Sequence, residues 1–292
     1  MRPLVLLPYV DGNDPLWRED LERAGGAFQA ERFRDWGMLR YVVRSYAKNI
    51  PWADVALIAA RESQVPGWWA GRTVYHRDFM PGRYLPCFNV NTIEDYLWAI
   101  PGLPDRVVYT NDDILATKPT SAEDYFDGDR PRVNVGESDG WTQNVFRRFC
   151  RNSMDVVSDA LGAARYDGGK LLKPTHSMTP ITGWQLEWFG ANVAPVIESG
   201  RMVTKVREAR NVNQYAYTYA AVFSGKASPS PRACRYVDMD TGEETALAEI
   251  AEPSCDLLCL NDNGRVIDYA GQRNRLVAAL EAAFPERCEY ER

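Results

Sequence analysis

Histidine is nearly missing from this chain: His76 and His176 are the only two in 292 residues. Cysteine is thin as well, with six residues and no CxxC pair. Cys255 and Cys259 are separated by three residues, but with so few imidazoles a structural zinc site is not expected. The pattern reads as reduced, mostly buried thiols in a cytosolic protein. An excess of positive charge is also absent. The 34 basic and 40 acidic residues leave a formal net charge of −6, which excludes non-specific nucleic-acid binding driven by a positive field. No apolar run reaches the ~20 residues that a membrane-crossing helix needs. The first residues, MRPLVLLPYVDG, hold a short apolar run broken by two prolines, a poor signal peptide. Repeats, low-complexity tracts and a glycine-rich phosphate loop are lacking too. The expectation is a soluble, cytoplasmic protein with no nucleic-acid partner and no transmembrane segment.

What is present is an ordinary globular composition, 45% hydrophobic and 25% charged, enough for a core of normal size. The length predicts one large domain, 1–292, with an insertion. LVLLPYV (4–10) reads as a buried strand ending in the turn-forming DGNDP. In 32–52, Leu39, Val42, Val43 and Tyr46 recur at helical spacing, with Arg40, Arg44 and Lys48 on a second, solvated face. Residues 54–60 and 73–76 read as strands and 89–103 as a helix with Ile93, Leu97 and Ile100 on its buried stripe. Residues 106–110 form the next strand. This alternation predicts an α/β fold with a mainly parallel sheet flanked by helices. Residues 127–172 are rich in Gly, Asp and Arg and weakly periodic, which suggests an insertion or lid. Farther on, 178–200 reads as partly helical, 211–225 as an aromatic helix, 227–244 as a loop and hairpin, 256–263 as a strand, and the tail as a helix halted by Pro285.

Ligands of open parallel sheets bind beyond the carboxyl ends of the strands. Three predicted strand ends carry acids: Asp11 and Asp14, Asp112 and Asp113, and Asp262. Such carboxylates suit Mg²⁺ or Mn²⁺ held against substrate phosphates; they serve equally as turn or cap residues. HRD at 76–78 is not a kinase motif, since no Asn follows at position 83; His76 has a structural or substrate-positioning role. His176, in the polar loop KPTHSMTPI, has the chemistry of a general base, or of a surface or capping histidine. Arg207 is either a solvated residue or a phosphate clamp. The end of the basic stripe near Arg34 and Arg40 could meet a pyrophosphate at a helix start.

Taken together, VDGNDPLW (10–17), RFRDWGMLRYVVRS (32–45), PW (51–52), HRDFMPGRYLPCFNVNTIEDYLWAIPGL (76–103), VVYTNDDIL (107–115), KPTHSMTP (173–180), VREARNVNQYAYTY (206–219) and CLNDN (259–263) with AAFPERCEYE resemble, in order, the four blocks of the Stealth family. The resemblance spans nearly the whole chain, 127–172 being the least alike. It implies a Rossmann-like, nucleotide-sugar transferase-like core and a divalent metal, Mg²⁺ or Mn²⁺. It implies transfer of a hexose 1-phosphate from a nucleotide diphosphate sugar, such as a UDP-N-acetylhexosamine, to a sugar hydroxyl of a glycan acceptor, as in bacterial capsule polysaccharide synthesis. In that reading His176, Asp113, Glu94 and Arg207 are catalytic. Asp112, Asp113 and Asp262 hold the metal, and Asp11, Gly12, Asp14, Arg34, Arg40 and Asn91 line the nucleotide-sugar side. Any membrane association would come through peripheral contact with export machinery. Two alternatives stand beside it: a metal-dependent glycosyltransferase releasing a nucleoside diphosphate, and a non-catalytic nucleotide-sugar-binding protein.

Overall fold

The computed structural model describes residues 1–139, 144–163 and 170–292. Strand β1 (Leu4–Pro8) is followed by helix α1 (Pro15–Arg23), a single turn α2 (Ala30–Phe33) and α3 (Leu39–Asn49). Then come β2 (Asp54–Ala59), β3 (Arg72–Tyr75), the short α4 (Val90–Glu94), β4 (Arg106–Tyr109) and β5 (Ile114–Ala116). The middle of the chain forms β6 (Phe126–Asp127), β7 (Arg130–Val133), β8 (Val135–Asp139), α5 (Val145–Leu161), β9 (Lys170–Pro174) and β10 (Thr179–Thr182). Helices α6 (Gly183–Asn192), α7 (Ala194–Ser199) and α8 (Tyr215–Phe223) follow. The chain closes with β11 (Ser228–Pro229), β12 (Cys234–Asp238), α9 (Glu243–Ala251), β13 (Leu257–Asn261) and α10 (Tyr269–Ala283).

Five strands make the central sheet, in the order β10-β4-β1-β2-β3. β1 pairs parallel with β2 and β4, and β2 with β3. β10 alone runs antiparallel, Thr179 opposite Tyr109 and Thr182 opposite Arg106. The fold is therefore α/β with a mainly parallel sheet. Continuous apolar runs such as LVLL suit strands covered on both faces. Alternate side chains divide between two cores. Val5, Leu7, Val55, Leu57 and Val108 pack with Val42, Val43, Tyr46, Leu276 and Leu280 from α3 and α10. Leu4, Leu6, Ala56, Ile58 and Tyr109 pack on the other face with residues of α5, α6 and α8.

A second sheet, β12-β13-β5, stands beside the first. β12 is parallel to β13, and β13 is antiparallel to β5 with Cys259 opposite Ile114. Because β5 follows β4 after a short turn, β13 is brought next to the residues that leave β4.

Several sequence expectations are revised. The helix expected over 32–52 is α2 plus α3, and the one over 89–103 is α4 followed by a 3₁₀ turn at Leu97–Ala99, although Ile93, Leu97 and Ile100 are buried. The hairpin expected over 227–244 is instead a βαβ unit, since β12 and β13 are parallel. Arg44 is not on a solvated face: it is buried and bonded to Glu291 (2.7 Å) and the Phe284 carbonyl (2.9 Å). In the 127–172 stretch, α5 buries Phe149, Cys150, Met154 and Val157 in the core; residues 140–143 and 164–169 lie outside the described residues.

Candidate active site

Three chain segments meet where β4 ends. After Tyr109 the chain runs through Thr110 to Asn111, Asp112 and Asp113. The turn is held by Tyr46 of α3, whose hydroxyl donates to the Ile114 carbonyl at 2.7 Å and lies 2.9 Å from the Thr110 hydroxyl. From the other side, the backbone N–H of Leu260 in β13 donates to the Asp113 carbonyl at 2.9 Å. The Cys259 thiol donates to Asp113 Oδ2 at 3.5 Å. β10 runs opposite to β4, so the loop before β10 lies at the carboxyl end of β4. That loop carries His176, whose Nε2 is 3.5 Å from the Asn111 amide nitrogen. Its ring meets Tyr236 edge-on at 5.8 Å. Ligating atoms of Asp113, His176 and Cys259 all fall within 4.8 Å of one another.

Electrostatics at this point are severe. Burial, then the Asp113 charge, pushes the Asp112 carboxyl up to about 7. Burial also raises Asp113, against the lowering effect of His176 and the Cys259 hydrogen bond. Asp113 Oδ1 is buried without a hydrogen-bond partner. Two adjoining carboxylates, one with an orphaned oxygen, form a site that a cation would satisfy. The donor set therefore fits a divalent ion, with oxygen from Asp113, softer atoms from His176 and Cys259 in reach, and the Asp112 carboxyl next in the chain.

A cleft opens above these acids in two lobes. One, of about 290 Å³, lies over the ends of β2 and β3 and is walled by Trp17, Phe33, Ile58, His76, Phe88, Ile93 and Arg207. The other, of about 280 Å³, lies toward β13 and is lined by Asp11, Gly12, Arg34, Asp35, Trp36 and Asp262. Tyr9, Val10, Arg32, Phe33, Asp112 and Asp113 border both. A Cβ at Gly12 would run into the Phe33 carbonyl oxygen, so this position requires glycine for the chain crossing there.

The residues singled out from the sequence divide as follows. Asp11, Gly12, Arg34, Asp112, Asp113, Asp262 and Arg207 border the cleft; His176 lines neither lobe but stands beside Asn111 and within 4.8 Å of the Asp113 ligating oxygen. Glu94 lies behind it, fully enclosed, accepting from the Tyr109 hydroxyl and the Gln214 backbone N–H, both at 3.0 Å. Burial pushes its carboxyl up to about 7, with the two hydrogen bonds and Arg207 opposing. Arg207 makes no hydrogen bond or ion pair with the described residues. Its guanidinium lies 5.7 Å from the Phe149 ring, and burial followed by the Arg32 charge lowers its affinity for the proton.

Four expectations need correction. Asp14 is the N-cap of α1, bonded to Leu16 and Trp17 N–H, Ser63 and Gln64; capping holds it out of the cleft. Arg40 pairs with Glu291 at 3.4 Å and lines neither lobe. Asn91 is buried in α4 and also lines neither lobe. Asp262 does border the cleft, but its carboxylate takes Arg34 (2.7 Å), Trp36 Nε1 (2.8 Å) and the Gly264 N–H (2.9 Å). That holds it ionised as a structural anchor rather than as an open metal ligand. Cys259 and Arg32, which the sequence reading passed over, are at the site. Cys259 had one usable signal: it stands two positions before Asn261-Asp262 at the end of an apolar strand.

These features define an α/β protein whose ligand cleft spans the carboxyl ends of its parallel strands, with an acidic floor at the β4 turn. A model of Stealth protein conserved region 2 matches residues 32–133. The chain is 31% identical over 256 residues to a capsular polysaccharide phosphotransferase of Actinobacillus suis, covering 80% of this chain and 68% of the relative. It is 22% identical over 326 residues to the receptor polysaccharide phosphotransferase WefC of Streptococcus oralis, covering 98% of each. Among solved structures, the galactosyltransferase LgtC in complex with donor and acceptor sugar analogs aligns over 98% of both chains with 12% identity and a TM-score of 0.41. The chain belongs to the Stealth family. No helix among the described residues is long and apolar enough to cross a membrane.

Proposed function

We propose that this protein is a single-domain transferase that moves a sugar 1-phosphate from a nucleotide diphosphate sugar to a hydroxyl of a glycan acceptor. The acceptor oxygen forms a new bond to the sugar-bearing phosphorus. The bond from that phosphorus to the bridging oxygen breaks, and a nucleoside monophosphate leaves. The observation that carries this reading is the Asp112–Asp113 pair, with its orphaned carboxylate oxygen, at the junction of two lobes and beside His176. Relatives over nearly the full chain are named polysaccharide phosphotransferases, which supports the same reaction class.

Asp112 and Asp113 would hold Mg²⁺ or Mn²⁺, which when bound supplies charge neutralisation on the diphosphate. Arg207, without a hydrogen bond or ion pair among the described residues and on the cleft wall, draws the equatorial oxygens of the transferring phosphoryl group; such stabilisation is the main contribution a protein makes to this chemistry. His176 accepts the proton of the acceptor hydroxyl, and Asn111 orients its ring. Glu94 acts at one remove. Its hydrogen bond fixes Tyr109, the last residue of β4, and its carboxyl lies within electrostatic reach of Arg207. An N-acetylhexosamine is the proposed sugar and uridine the proposed nucleoside.

Resolving the nucleotides released tests the proposal. With Mg²⁺ or Mn²⁺, a panel of nucleotide sugars and simple glycan acceptors, a nucleoside monophosphate should appear only when acceptor is present. Release of a nucleoside diphosphate would mean glycosyl transfer and would overturn the mechanism. Asp113→Asn and His176→Ala should each lower turnover by roughly 10²–10⁴-fold while the circular dichroism stays that of wild type.

A further inference from the structure

The two lobes of the cleft differ in kind. The lobe toward β13 is ringed by Asp11, Arg34, Asp35 and Asp262. The lobe over β2 and β3 has aromatic and aliphatic walls: Trp17 meets Phe33 edge-on at 4.8 Å and Phe88 at 5.5 Å, and Ile58 and Ile93 close the rest. Its charged and amide groups, Arg32, Arg207, Asn111, Asp112 and Asp113, belong to the side shared with the acidic floor, and His76 is the polar side chain at the end of β3. His76, at the end of β3, is 6% exposed. Its Nδ1 is buried without a partner, and Nε2 makes no hydrogen bond to the described residues either. The ring is held only by packing, edge-on to Phe79 at 6.2 Å. A buried group with unmet hydrogen-bonding capacity, in the wall of a lobe, calls for a partner from the ligand.

We propose that the apolar lobe receives the nucleobase of the donor and that His76 reads the polar edge of that base. This rests on the phosphotransferase reading above and adds the position and selection of the nucleoside. A base is flat and apolar on its faces with donors and acceptors on its rim, which matches aromatic walls with a buried imidazole of unmet hydrogen-bonding capacity among them. The layout follows the chain. The base lies over the ends of β2 and β3, the diphosphate at Asp112 and Asp113 beside Arg32 and Arg207, and the sugar and acceptor toward β13 and His176. Burial holds the His76 imidazole neutral, down to about 4, so it offers both a donor and an acceptor nitrogen.

The test is equilibrium binding of UDP, CDP, GDP, ADP and inorganic pyrophosphate, in Mn²⁺, to wild type, His76→Phe, His76→Gln and Arg207→Ala. One nucleoside diphosphate should bind wild type in preference to the rest. His76→Phe should weaken that ligand roughly tenfold or more, the worth of one buried hydrogen bond. It should narrow the spread among bases and leave pyrophosphate unchanged. His76→Gln, which keeps a donor and an acceptor, should restore part of the preference and guards against a folding defect in the Phe variant. Arg207→Ala should weaken every ligand, pyrophosphate included. If the diphosphates bind but both His76 variants keep the wild-type order of bases, or lose pyrophosphate equally, the assignment of His76 falls while the transferase reading stands. If wild type binds no nucleoside diphosphate, both fall.

Discussion

At position 259 a thiol stands 3.5 Å from the Asp113 carboxylate, with the His176 imidazole in the same group. Burial and the Asp113 charge push that thiol well above its ordinary range. A hard cation such as Mg²⁺ has no use for sulfur, whereas zinc and cadmium bind thiolate and imidazole well. Cys259→Ser should therefore keep Mg²⁺-supported turnover and weaken inhibition by Zn²⁺ or Cd²⁺ by about tenfold or more. Competition curves against Mg²⁺ would decide it, and unchanged zinc sensitivity would remove Cys259 from the site. The same scale explains what could be read in advance. That Asp112, Asp113 and His176 meet at one point was legible because an apolar strand ending in two acids, and a histidine in a polar loop, are unusual in composition. Asp14 and Asp262 were not, because an aspartate that caps a helix or anchors an arginine has the same local sequence as one that binds a ligand.

Between elements, α3 is tied to the C-terminal turn by one nearly enclosed ion pair. The Arg44 and Glu291 side chains are 6% and 2% exposed, and Arg44 also bonds the carbonyls of Phe284 and Pro285. Removing Glu291 leaves the enclosed Arg44 with the exposed Glu281, 3.3 Å away, and the two carbonyls, which places the loss at the lower end of the about 3–5 kcal/mol for breaking a buried pair. Glu291→Ala should lower the unfolding free energy by that order in urea titration, far more than Glu19→Ala, whose pair with Arg23 is exposed. The periodicity of 39–49 predicted α3 and its apolar face correctly; the fate of its arginines was invisible, because their partner lies 247 residues away. Strands β1, β2, β4 and β13 were legible as apolar runs. The parallel pairing of β12 with β13 was not, since a turn-rich sequence does not reveal which edge its strand will join. Nor was the short reach of α4. The Asn89 side chain bonds Thr204 and Asn211, and such tertiary anchors override helical spacing.

For the whole molecule, two buried groups pull the pH dependence of stability in opposite directions. His76 stays neutral down to about 4 in the fold but titrates near 6.5 when unfolded. The unfolded chain therefore binds the extra proton, and stability falls as pH drops from about 6.5 to 4. Glu94 holds its proton up to about 7 against 4.5 when unfolded, so its contribution is fully favourable below 4.5 and is lost as pH rises to 7. Each is worth about 3 kcal/mol over its window. Relative to wild type, Glu94→Gln should gain stability on moving from pH 4 to pH 8, and His76→Phe should gain on moving from pH 7 to pH 4. Paired chemical denaturation curves at those values check the sign of each. A pH-independent difference for either variant would show that its charge is not excluded from the core.

The antiparallel course of β10 has a consequence for how the protein is made. Asp113, His176 and Cys259 belong to segments 63 and 83 residues apart, and they meet only because one strand reverses and β13 docks on β5. Strands β1, β2, β3 and β4 pair among themselves within residues 4–109, before the other two segments are made. Asp113 then waits for 63 residues to reach His176 and a further 83 to reach Cys259, since contacts of such separation close late. A nascent chain stopped short of β13 therefore carries the Asp112–Asp113 carboxylates without the Cys259 thiol, the one soft sulfur donor in the group.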